Sequence, residues 1–369
     1  MSESGGAGWV QRSSTACRVS ARGTAKGNQG IMTVTFTEKS QIETGFSEVF
    51  QDRIAPRLGD LEAERKTYLA KARRHVGIAL AVGATFGVLF TLFGSGSDGV
   101  GALVAGFGVP LAFGGVAAFV LWNRQTGKWT GSAAQTVMPV VCDFVGDMSH
   151  DHEAHKGFAL ERMQKLGVVG SYTRAEISDR LEGRYRETDF ELVEARLISQ
   201  KSSSTSSDDD SGDRSSRTVF KGLLMRVAVP EPIPTRILIA RDFGIGNKLG
   251  ELLGGSSGRG MPKVDTGHPE FEQHFEVYAA DPDVAHDVLA PGFLDNLLAI
   301  AKAEGGRHGV QGMQAGFHDD SFFMALRREG DFLKMGSLST PMDEIEDDLH
   351  RIFDDIATIH RIIDRLHGD

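Results

Sequence analysis

Two stretches of this chain carry no charge at all: Val76 to Phe93, 18 residues, and Gly101 to Trp122, 22 residues. Each is close to the roughly 20 apolar residues that a helix needs to cross about 30 Å of hydrocarbon. Between them Gly94-Ser95-Gly96-Ser97-Asp98-Gly99 is a tight polar turn, so the pattern predicts two antiparallel transmembrane helices over 76–93 and 100–122. Upstream, Phe46, Phe50, Ile54, Leu58, Leu61 and Leu69 keep helical spacing, and Pro56 predicts a kink or a fresh start. Downstream, Val137, Val141, Phe144 and Met148 predict a helix leaving the membrane.

Beyond Phe158 the period changes from helical to alternating. Gly183 to Arg186, Phe190 to Ile198, Val219 to Val229 and Thr235 to Ala240 read as strands, joined by connections short enough for antiparallel pairing. Further strands are expected at Glu272 to Tyr278, Gly316 to Phe317, Ser321 to Arg327 and Phe332 to Met335. Asp281-Pro282 is a cap followed by a first-turn proline, and Pro291 divides the helix that follows. Thr340 and Pro341 open a last helix in which Ile345, Leu349, Ile352, Ile356, Ile359, Ile363 and Leu366 form a heptad. That helix packs on another helix of the chain, with the Phe46 to Leu69 helix the preferred partner, or else self-associates.

The expected fold class is therefore α+β: a transmembrane helical hairpin followed by a mainly antiparallel-sheet cytosolic domain with flanking helices. In order, the pattern gives a disordered tail over 1–35, a cytosolic amphipathic helix over 36–75, the two spans, a juxtamembrane helix over 123–157, the α+β domain over 158–338 and a C-terminal amphipathic helix over 339–369. A Ser/Asp stretch at 201–217 reads as a disordered loop. The first 31 residues lack the apolar core of a secretory signal, and Met32 is an alternative start.

Charge orients this arrangement. The chain has 40 Lys+Arg against 50 Asp+Glu, a formal net of −10, which disfavours nucleic acid as a partner. The imbalance is local: residues 1–75 are net +4, 76–122 net −1 and 123–369 net −13. Arg65, Lys66, Lys71, Arg73 and Arg74 precede the first span, and Arg124 and Lys128 follow the second. The positive-inside rule then places both termini in the cytoplasm of a multi-pass inner-membrane protein. Four of the 45 glycines fall in stripes of small residues: Ala79, Gly83, Gly87 and Thr91, then Ala102, Gly106, Gly114 and Ala118. Small residues four apart let helix backbones approach in lipid, so the stripes face each other or drive oligomerisation. Neither span holds an ionisable residue, which argues against a channel or transporter.

Chemical signatures are sparse. His150-Asp151-His152-Glu153-Ala154-His155 invites a metal, but on the expected helix only His152 and His155 share a face, so a solvated polar stretch is the reading preferred. Gly254-Gly255-Ser256-Ser257-Gly258 has the letters of a hydrolase elbow without the strand before it. Gly244 to Gly250 resembles a dinucleotide loop without a βαβ unit. His268 and His274 read as surface or satisfied histidines. The two cysteines, Cys17 and Cys142, define no disulfide framework. No catalytic residue, cofactor or metal is assigned; the expected partners are the lipid bilayer and a protein partner or a second copy.

Arg184-Tyr185, Val219-Phe220-Lys221-Gly222, Pro269-Glu270-Phe271-Glu272-Gln273-His274-Phe275-Glu276-Val277-Tyr278 and Leu289-Ala290-Pro291-Gly292-Phe293-Leu294 resemble the bacterial domain of unknown function 3137, over roughly residues 40 to 335. The resemblance implies a membrane protein with a cytosolic domain and implies no reaction. The Ser/Asp loop, the first 31 residues and the C-terminal helix depart from it. Phe220, Phe271, Phe275 and Val277 read as core-supporting strand residues, whereas Tyr185, Lys221 and Arg184 could line a surface. The function expected is an anchored binding or scaffold module, with a membrane-tethered hydrolase-like enzyme as the alternative.

Overall fold

Pro56 determines where the first long helix begins. In the computed structural model, which describes residues 34–93, 108–154, 157–200, 216–241 and 260–368, a short helix α1 (Phe46–Val49) passes through a π turn and a 3-10 turn that holds Pro56 near its start. Helix α2 (Leu58–Phe93) then runs unbroken for 36 residues. Helix α3 (Val109–Val145) returns antiparallel to it for 37 residues. On the domain side the pairing is fixed by Glu64 accepting from the Ser132 hydroxyl at 2.7 Å and by an ion pair at 2.9 Å between Asp143 and Arg53, which lies just before α2. The expected juxtamembrane helix is therefore the second half of α3. The turn at 94–99 and the start of the second apolar run lie outside the described residues.

Each long helix has two different halves. Among the described residues of α2 and α3 between Ile78 and Val120, the buried positions are Gly83, Gly87, Gly114 and Ala118, while Phe86, Phe113 and Phe119 are exposed. Among the described residues every exposed large apolar side chain falls in this belt. One helical run, Phe46–Thr91, is long and apolar enough to cross a membrane, and only 11% of its apolar window is buried. In the other halves, Leu58, Leu61, Trp129, Val137, Met138 and Val141 are fully or almost fully buried.

What covers those halves is a seven-stranded antiparallel sheet and its helices. The strands are β1 (Met148–Asp151), β2 (Arg174–Tyr185), β3 (Thr188–Gln200), β4 (Ser216–Arg241), β5 (Lys263–Val264), β6 (Phe275–Ala279) and β7 (Met313–Arg327). They pair in the order β1-β2-β3-β4-β6-β5, with β7 along β4. β4 absorbs both expected strands over 219–240, and the Pro230 to Pro234 stretch between them survives as register shifts against β7. It also begins at Ser216, inside the expected loop. Alternation assigns the two faces: Leu223, Met225 and Val227 join the main core with Phe322, Met324 and Leu326, while Leu224 and Phe323 face a smaller core under α4 (Leu160–Leu166).

Four further helices complete the main core: α5 (Pro269–Glu272), α6 (Pro282–Val288), α7 (Pro291–Glu304) and α8 (Ile345–Leu366). Asp281 caps α6 as its sequence implies, its side chain accepting from Asp283 and Val284 N–H. α8 buries its heptad from Ile345 to Ile363 inside the chain, with Leu366 half-buried, Phe353 edge-on to Phe46 at 4.7 Å and Phe36 beside both. Two expectations are corrected here. Phe332 to Met335 is not a strand but part of an irregular strap between β7 and α8, in which Leu333 takes a left-handed φ of 48°. α8 starts at Ile345 after a 3-10 turn, so Thr340 is not its cap.

Candidate functional site

At the point where α3 passes from the apolar belt into the domain, a cavity of about 400 Å³ opens between three elements. α3 contributes Asn123, Thr126, Gly127, Thr130 and Ala134; the sheet contributes His152, Ser178, Asp179 and Glu194; the strap contributes Asp331 to Met335.

The sheet places its polar groups through one irregularity. β2 carries a bulge between Ser178 and Leu181 in its pairing with β3, and Asp179 sits in it at a φ of 51°. That left-handed residue turns an acid inward, where only 8% of it is exposed. β1 runs beside it and His150 faces the same carboxylate. The His152 Nδ1–H donates to Asp179 Oδ1 at 2.7 Å and the His150 Nε2–H donates to the same oxygen at 3.2 Å. Burial pushes the Asp179 carboxyl up, but the two imidazole hydrogen bonds outweigh it and hold it below the ordinary aspartate value. In return, the bond to Asp179 raises His152 above the ordinary histidine value. Gly131 on α3 makes room, because a Cβ there would stand 2.9 Å from His152 Cδ2.

The expected solvated stretch at 150–155 is thus corrected. It lies on a strand and the turn after it, and its first two histidines point into the chain because the bulged acid draws them in. His155 lies outside the described residues. No cluster of three metal-ligating groups exists among the described residues.

Glu194 is opposite Ser178 in the β2–β3 register. Its Oε2 accepts the Phe332 N–H at 2.9 Å, and burial pushes its carboxyl up to about 7. The strap is held by more such bonds: Leu333 N–H to Asp355 at 3.0 Å, Gly336 N–H to Asp348 at 2.8 Å and Met342 N–H to Glu62 at 3.1 Å. Arg65 of α2 donates to Leu338 O at 2.8 Å and grips Glu62 with two nitrogens, which holds that carboxyl down to about 2. One strap therefore ties the sheet, α8 and the first long helix together.

An imidazole braced by a carboxylate can accept and return a proton, and so can a carboxyl that titrates near neutrality. Among the described residues, however, no serine, threonine or cysteine hydrogen-bonds to His150 or His152. The Thr130 hydroxyl donates to Gly127 O at 3.1 Å instead. The arrangement holds and polarises; it presents no activated nucleophile.

Other residues singled out by sequence lie elsewhere. Tyr185 stacks on His360 with ring centroids 3.8 Å apart, Arg184 pairs with Asp189, and Lys221 lines a neighbouring cavity of about 550 Å³ with Arg174 and Arg196. His268 is satisfied, its Nδ1 accepting from Phe271 N–H and its Nε2 bound to Asp295. The Gly244 to Gly250 and Gly254 to Gly258 motifs lie outside the described residues. Asp179 and Glu194 were not singled out: each is one acid in a strand-like stretch, and only the bulge and the strap give them partners.

No curated protein matches this chain. Among solved structures, the crystal structure of the mycobacterial trehalose monomycolate transport factor A, TtfA, matches at 11% identity. The match covers 66% of this chain and 94% of that one, with a TM-score of 0.27, too low to carry an argument. Residues 218–367, from β4 to the end of α8, match the model of a family described as a protein of unknown function, DUF3137. That stretch includes the C-terminal helix, which the sequence resemblance left out, and leaves out residues 40–217, which the resemblance included. Over residues 218–367 the chain is thus similar to the DUF3137 family.

Proposed function

We propose that the chain is a membrane-anchored binding or scaffold module. In this reading α2 and α3 cross the bilayer as a two-helix hairpin, and the α+β domain and both termini lie on the cytosolic side. The observation that carries it is the segregation of exposed apolar side chains into one belt between Ile78 and Val120. A soluble surface does not collect such a patch, and 18 residues of helix from Val76 to Phe93 reach about 27 Å. Arg73 and Arg74 at one helix and Arg124 and Lys128 at the other flank the belt on the domain side, as cytoplasmic ends require.

Alkaline carbonate extraction of native membranes and single-cysteine labelling test this. The protein should stay in the pellet. On a background lacking Cys17 and Cys142, a cysteine at Ser97 should react with an impermeant maleimide from the outside, and one at Ser339 only after lysis. Release by carbonate, or labelling of both from one side, defeats the hairpin.

A second reading, a membrane-tethered enzyme, is favoured by the convergence of His152, Asp179 and Glu194 on one cavity. It requires a turnover that His152→Asn abolishes while the melting temperature holds.

A further inference from the structure

We propose that the cavity below the belt holds the primary-amine headgroup of a membrane phospholipid of the phosphatidylethanolamine class, entering from the bilayer along one face of α3. This rests on the membrane reading above. The first observation is a continuous face. Val116, Phe119, Asn123, Thr126 and Thr130 follow one another at spacings of three, four, three and four, so they form one stripe. Its upper part is lipid-like, with Val116 63% and Phe119 65% exposed; its lower part is the cavity wall. From Phe119 to Thr130 the helix rises about 16 Å, enough to pass from acyl chains to headgroup depth. An amphiphile on this stripe would have its chain against the belt and its polar end in the cavity.

The second observation is the charge inside. Asp179 is taken by two imidazoles, and Asp331 pairs with Lys334 at 3.1 Å. Glu194, by contrast, makes no ion pair among the described residues and accepts only the Phe332 N–H. Burial, with the Asp331 and Asp179 charges nearby, raises its carboxyl. A primary ammonium brings the charge and three N–H donors, and the Lys334 ammonium, shared with Asp331, borders the same cavity on the side the phosphate would take. A choline headgroup has no N–H to give, which separates two lipids of equal charge.

The test uses the full-length protein in nanodiscs of equal parts phosphatidylethanolamine, phosphatidylcholine and phosphatidylglycerol, released for native mass spectrometry. Phosphatidylethanolamine should be retained at least about tenfold over phosphatidylcholine. Glu194→Gln, whose amide oxygen still accepts from Phe332, should erase that preference at a melting temperature no lower than the wild type's. Gly127→Leu, which fills the wall without altering charge, should do the same. Equal retention of the two lipids, or a preference that survives both variants, overturns the proposal. So does displacement by free phosphoethanolamine at equal concentration, which assigns the cavity to a soluble ligand. Failure to enter nanodiscs at all would instead sink the membrane reading.

Discussion

Glu194 makes the stability of this protein depend on pH in an unusual direction. Its carboxyl titrates at about 7 in the folded chain against 4.5 ordinarily, so between those values the native state binds more protons than the unfolded one. Stability therefore falls as pH rises through that window, by up to about 3 kcal/mol from this group alone. His152, raised by Asp179, acts in the same sense at higher pH, its contribution being lost as pH climbs through its elevated value. Asp179 acts oppositely, losing its contribution as pH drops below the ordinary aspartate range. Thermal unfolding at pH 5 and 7.5 should show the wild type more stable at the lower value and Glu194→Gln with most of that difference removed; an unchanged slope would contradict the assignment. A second residue reports on the core. Burial pushes the Cys142 thiol up to about 12, so in a Cys17→Ala background maleimide should label the chain only once it unfolds.

Among the elements, the contact between α2 and α3 is the most legible in the sequence, because its rule is local. Small residues four apart predicted a close crossing, and a Cβ at Gly83 would lie 2.8 Å from Pro110 O and 3.3 Å from Gly114 Cα. Gly83→Leu and Gly114→Leu should each cost roughly 1–3 kcal/mol of hairpin stability. Gly115→Leu, with nothing within 4 Å, is the matched control, and equal melting shifts for all three would remove the crossing as the cause. The α6 cap, the division at Pro291 and the alternation of β3, β4 and β7 were readable for the same reason. What was not readable depends on distant partners: the β2 bulge acquires meaning only through β1, and the 328–344 strap takes its shape from carboxylates on β3, α8 and α2. Phe353→Ala on α8, which removes an aromatic packed on Phe46, should cost about 3–5 kcal/mol, measured as a lowered denaturation midpoint.

Taken whole, the molecule joins the apolar, exposed halves of α2 and α3 to a packed domain along continuous helices. Residues from Phe36 near the start of the described chain to Ile363 near its end share one core with the lower halves of α2 and α3, which explains why no linker was detectable between the expected membrane and cytosolic parts. The uninterrupted α3 has a mechanical consequence. Its one internal proline, Pro139, lies beyond the cavity, so no break separates the belt from the cavity wall. In the membrane reading proposed above, such a rod is a lever: when bilayer thickness changes, mismatch is relieved by tilting the helix, and the same rotation is delivered to Thr126 and Thr130 opposite the strap. The distance between spin labels at Thr130 and Lys334 should then vary with acyl-chain length, and two glycines inserted after Trp122 should uncouple it. Lipid thickness, in such a machine, is an input in its own right.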